Sequence, residues 1–262
     1  MLKIWAKYCQ LLFGLLILPS LCFGNSYLDY QKAVKSLIGP EPKSSIMSIA
    51  SGFGAKSGDL FIAVSYSDKD LQTEIEKDDD GSIVAGLGFG DPWENMGIEV
   101  AVGITSVSTA WWGDGKFGDE GNINLKFHKI VNPFWGDVAS LSLGASNLLG
   151  WGGTQENSSN LYSAFSEQSV VGQFYEYNFS YTVGYGTAVS NKETDNDFFG
   201  GLALGKSNLS GSLSVIGNEF HTAATFYVPY LDGLTLSITN VGAFGDPKNS
   251  RNIFTLGYVK VL

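Results

Sequence analysis

From Tyr175 to Gly186 the chain alternates without a break. Tyr175, Tyr177, Phe179, Tyr181, Val183 and Tyr185 are aromatic or β-branched, while Glu176, Asn178, Ser180, Thr182, Gly184 and Gly186 are small or polar. A period of two puts one set on each face of a β-strand, so one face is greasy and the other wet. Six large side chains in a row overload the core face of a soluble sheet, but suit a strand with lipid on one side and a watery lumen on the other. The same alternation predicts strands at about 59–67, 81–90, 95–107, 121–131, 138–147, 160–167, 173–188, 198–206, 209–217, 220–228, 233–241 and 252–260. Most approach the roughly 9–11 residues that a tilted membrane-crossing strand needs. Leu60, Ile62, Val64 and Tyr66 form one apolar face, Met96, Ile98, Val100, Val102 and Ile104 another, and Phe254, Leu256 and Tyr258 the last. No helix-period segment interrupts the series, which excludes a parallel βαβ architecture.

The predicted connections sort into two kinds. Those at 68–80, 108–120, 148–159, 189–197 and 242–251 are long, and those at 91–94, 132–137, 168–172, 207–208 and 229–232 between them are short. Long and short must alternate when every second hairpin lies on the same side of a membrane. Asn218-Glu219 is tight in a slot where a long loop is expected. Trp93, Phe134, Trp135 and Tyr230 fall in or beside the short turns, Trp111, Trp112 and Trp151 in the long set. They are the candidate interface aromatics of two girdles.

The pattern resembles that of bacterial outer-membrane β-barrel proteins over residues 59–262 and the N-terminal signal, with 58–262 as the barrel region. The fold class implied is all-β, an antiparallel up-and-down transmembrane barrel of about 12 strands with a short N-terminal helical or extended segment. The resemblance also implies short periplasmic turns, long extracellular loops and a C-terminal strand read by the barrel-assembly machinery. Phe254, Leu256, Tyr258 and Leu262 fit that terminal signal, whereas Lys260 in an outward slot and Leu262 in place of a terminal Phe depart from it.

The N-terminus agrees with export. Lys3 and Lys7 precede the apolar run Leu11–Leu18, then Pro19-Ser20, and Cys22-Phe23-Gly24 offers small residues for a cut after Gly24. That order is a secretory signal over 1–24. Lipidation at Cys22 is the alternative, disfavoured by Leu21 at a position that wants a small residue. Cleavage removes Cys9, Cys22 and two lysines, leaving 14 basic residues against 26 acids, a net −12 where the full chain has −10. An exported acidic chain is a poor nucleic-acid partner. Thirty-three glycines and only 16% charged residues suit small lumenal positions and a wall in lipid. A secreted β-sandwich is the soluble alternative. Residues 25–57 form a separate segment: Tyr27, Tyr30, Val34 and Leu37 or Ile38 predict a short helix ending at Gly39-Pro40. That segment is expected to plug the lumen, cap the periplasmic mouth, add a thirteenth strand or lead in flexibly.

Candidate chemistry is thin. Glu99, Lys126, His128, Glu176 and His221 fall on expected lumenal faces, among small residues such as Ser140, Ser142, Ser180, Ser212 and Ser214. No nucleophile–base motif surrounds either histidine, the acidic stretch 68–80 lacks the spacing of a calcium loop, and Gly86–Gly90 lies in a strand rather than before a helix. No cofactor and no metal is expected. The reading is therefore a narrow, weakly selective channel or porin-like protein and not an enzyme. Its expected partners are outer-membrane lipid and lipopolysaccharide, the barrel-assembly machinery and small hydrophilic solutes. A surface-displayed adhesin is the rival class, and an outer-membrane enzyme the third.

Overall fold

The computed structural model describes residues 46–68, 80–105, 107, 117–172, 176–190, 194–243 and 250–261. Among these, twelve strands form one closed antiparallel barrel: β1 (Asp59–Ser67), β2 (Asp80–Gly90), β3 (Gly97–Ile104), β4 (Gly121–Val131), β5 (Val138–Trp151), β6 (Asn160–Val171), β7 (Tyr177–Ser190), β8 (Asp195–Lys206), β9 (Leu209–Ile216), β10 (Glu219–Tyr227), β11 (Leu234–Val241) and β12 (Arg251–Val261). Each strand pairs with its sequence neighbours, and β12 returns to β1 in register from Asp59↔Val261 to Ser67↔Ile253. Closure satisfies every strand edge, which an open sheet of this length would leave exposed.

The alternation predicts the facing correctly. Ile62, Val64, Tyr66, Leu87, Phe89, Val102, Leu143, Leu202, Leu213, Leu236 and Leu256 are all exposed on the outer wall. Ser140, Ser142, Ser166, Ser210, Ser214, Thr225 and Thr239 are buried on the inner face. This protein is inside-out relative to a soluble one, with hydroxyls within and a continuous apolar band without.

Glycines on the wall make room for rings. Trp151, at the end of β5, lies over Gly121 on β4, and its indole Nε1–H donates to the Gly118 carbonyl at 2.9 Å. Phe199 on β8 lies over Gly184 on β7, so Gly184 is a covered position rather than free lumen. The β4–β5 register shifts between Ile123 and Leu125, where Asn147 takes a left-handed φ of 52°. β5 resumes with Leu149 opposite Ile123 and runs longer than the expected 138–147.

The short turns at 132–137 and 207–208 come out as expected, the one expected at 168–172 lies at 172–176 because β6 runs on to Val171, and the tight connection in the long set is real: 217–218 alone joins β9 to β10. The predicted helix at 27–38, most of the acidic loop, Trp111, Trp112 and Leu262 lie outside the described residues.

Candidate functional site: the occupied lumen

Residues 46–58 do not form a thirteenth strand. They run inside the barrel, from the short-turn end of β1 to the middle of β9. At the rim, Ser57 N–H donates to the Gly90 carbonyl at 2.8 Å, and Asp59 and Lys56 close a turn through the Lys56 N–H to Asp59 Oδ2 bond of 2.9 Å. Ala55 N–H then donates to Glu99 Oε2 at 2.8 Å, and Lys126 Nζ donates to the Phe53 carbonyl at 3.2 Å. The Ser140 hydroxyl donates to the Gly52 carbonyl at 2.7 Å, Gly52 N–H donates to Ser166 Oγ at 2.8 Å, and the Ser142 hydroxyl donates to the Ser51 carbonyl at 3.0 Å. On the far wall, the Ser214 hydroxyl donates to the Met47 carbonyl at 3.0 Å and Met47 N–H donates to Ser212 Oγ at 3.4 Å.

The small lumenal residues expected to leave a void instead bond the main chain of residues 47–55. A hydroxyl both donates and accepts, so one row of serines serves carbonyls and N–H groups alike. Each such bond contributes about 0.5–1.5 kcal/mol net.

Glu99 and Lys126 face each other across β3 and β4 and form an ion pair, Lys126 Nζ to Glu99 Oε1 at 3.2 Å, with both side chains less than a fifth exposed. Each of the two also bonds the segment. In so sheltered a place, removing one partner strands the other and is strongly unfavourable. His128 is buried on the same face, its ring against Gly97 and beside Gly54. Of the expected lumenal group, these three converge. His221 does not join them: it is buried on β10 with Nε2 3.8 Å from the Glu219 carboxylate. Glu176 precedes β7 and lies against Gly172 of the adjoining turn, at the rim rather than in the lumen. Each histidine sits opposite a serine, His128 with Ser142 and His221 with Ser214, but both hydroxyls donate to segment carbonyls.

The interface aromatics divide. Tyr230 is fully exposed, and Phe134 and Trp135 are 55% and 62% exposed. Trp93 is buried instead, because the Asp91-Pro92-Trp93 turn folds back on β4, with Trp93 N–H donating to Asp91 Oδ1 at 2.8 Å and Ile130 N–H to the Pro92 carbonyl at 2.9 Å.

One residue escaped the sequence reading. Glu167 on β6 shares the outer face with Phe165 and is 1% exposed. The turn between β4 and β5 folds over it. Phe134 and Trp135 N–H donate to its oxygens at 2.9 Å each, the Tyr181 hydroxyl donates at 3.0 Å, and Gly136 N–H also donates to it. Trp135 stacks on Phe179 and Tyr181 at 5.8 and 5.3 Å, and Phe134 meets Phe165 at 5.3 Å. Successive main-chain N–H groups form an anion-binding concavity, here filled by the chain's own carboxylate. An acid in the outward slot after Leu161, Ser163 and Phe165 was the signal available.

The structure thus defines a closed twelve-stranded barrel with an occupied, hydroxyl-lined lumen. No family model matches the chain, and no curated protein sequence does. Among solved structures it is similar to "KdgM porin in complex with disordered oligogalacturonate", at 8% identity and a TM-score of 0.48 over 78% of this chain and 99% of that one. It is also similar to the COG4313 outer membrane channel from Pseudomonas putida F1, at 10% identity and a TM-score of 0.48 over 79% of this chain and 97% of that one.

Proposed function

We propose that this protein is an outer-membrane channel for small hydrophilic solutes, narrowed by its own residues 46–58. The observation that carries the reading is the pairing of an apolar outer band with a lumen whose hydroxyls bond the main chain of the protein's own Met47 and Gly52. In this reading the band meets outer-membrane lipid and lipopolysaccharide, the signal directs export, and the barrel-assembly machinery inserts the closed sheet. Solutes pass when the segment yields.

The test is conductance in planar bilayers. Lys126→Met removes both the ion pair and the bond to Phe53, and is expected to raise single-channel conductance several-fold over the wild type. Lys129→Met removes a rim lysine that bonds the Glu94 and Asn95 carbonyls, and is expected to leave it unchanged. Equal conductance in all three proteins would show that the segment does not limit flow.

Orientation is tested separately. Cysteines at Asn157, beside the 3-10 turn Gly152–Glu156, and at Asp91, in a short turn, lie at opposite ends of the barrel. On intact cells an impermeant thiol reagent is expected to label the first and spare the second. The reverse pattern would invert the barrel in the membrane.

A further inference from the structure

We infer that the lumenal wall is a binding site for a polypeptide main chain, with residues 47–55 as its resident occupant, and that a peptide supplied in trans competes for it. The inference rests on the proposed reading of 46–58 as a removable occupant.

What the wall contacts is the reason. The wall side chains bond main-chain atoms of Met47, Ser51, Gly52, Phe53 and Ala55; among the described residues, the one side chain of the segment they bond is Ser51, whose hydroxyl lies 3.3 Å from Ser166 Oγ. Main-chain atoms are common to every polypeptide, so this is the chemistry by which sheet edges capture extended peptides, supplied here by serine hydroxyls and one ion pair.

Selectivity comes from space. A Cβ at Gly52 would collide with the Ser140 carbonyl, and one at Gly54 would lie 2.8 Å from His128 Nδ1 and 3.1 Å from Glu99 Oε2. Neither glycine has a positive φ, so the backbone does not demand glycine there; the closeness of the wall does. The site therefore selects a peptide with glycine at two positions separated by one residue, where the segment carries Phe53.

The experiment uses full-length Gly52→Val in planar bilayers. This change alters the occupant and leaves the wall untouched, so it is expected to conduct several-fold more than the wild type. A synthetic peptide of residues 46–57 is then expected to return conductance to the wild-type level in a saturable way, while the same peptide carrying Val for Gly52 needs at least tenfold more. Equal block by both peptides, or block by neither in the open variant, would overturn the inference. Wild-type conductance in Gly52→Val would instead overturn the channel reading on which it rests. Gly54→Val takes the same role if Gly52→Val does not assemble.

Discussion

Glu167→Ala is expected to lower the stability of the folded barrel by about 3–5 kcal/mol, because four donors in a part-buried site lose their acceptor at about 1–3 kcal/mol each, with part returned as the turn relaxes. The donors are the N–H groups of Phe134, Trp135 and Gly136 and the Tyr181 hydroxyl. Losing them frees the turn that holds Trp135 against Phe179 and Tyr181. Glu167→Gln keeps the shape, but its NH2 group faces N–H groups, so it is expected to recover less than half of the loss. Urea titration of the barrel in lipid vesicles, followed by tryptophan fluorescence, reads both values. A wild-type midpoint in Glu167→Ala would mean that the aromatic contacts hold the turn without the carboxylate.

Leu202→Arg comes next in size. Leu202 stands mid-strand on β8, half exposed on the outer wall between Tyr181 and Leu213. A cation there at the bilayer midplane costs about 2–4 kcal/mol, and one near the interface about 0–1 kcal/mol. Tyr230→Arg, in the turn between β10 and β11, is therefore expected to fold nearly normally. The heat-modifiable shift on a gel after reconstitution measures the folded fraction of each. Similar behaviour of the two variants would argue against a depth gradient, and so against a lipid environment for this wall.

The strand wall was legible because its rule is local. A face is set by whether a residue is odd or even, so runs such as Leu60, Ile62, Val64 and Tyr66 reveal the outer surface without knowledge of any neighbour. The ends of strands were less legible. β5 continues to Trp151 because Gly121 on another strand leaves room for the indole, and nothing near Trp151 in the chain records that gap. Glu176 shares the parity of Ser180 yet stops at the rim, since the strand pattern extends two residues further than the pairing does.

The lumenal residues show the division most clearly. Ser140, Ser142, Ser212 and Ser214 were read as small linings, and they are small, but their use is to bond a segment distant from them in sequence. Glu99 and Lys126 were read as lumenal charges, and only the pairing of β3 with β4 makes them one latch. What the sequence by itself determined is the alternation: which face of each strand meets apolar surroundings, how many strands there are, and which turns are short. What only the tertiary structure decided is occupancy, namely that residues 46–58 lie inside the barrel against its wall and that Glu167 sits beneath a folded-over turn. Facing follows from the two-residue period of one strand. Occupancy depends on distances between strands far apart in the chain, which exist only once the barrel has closed.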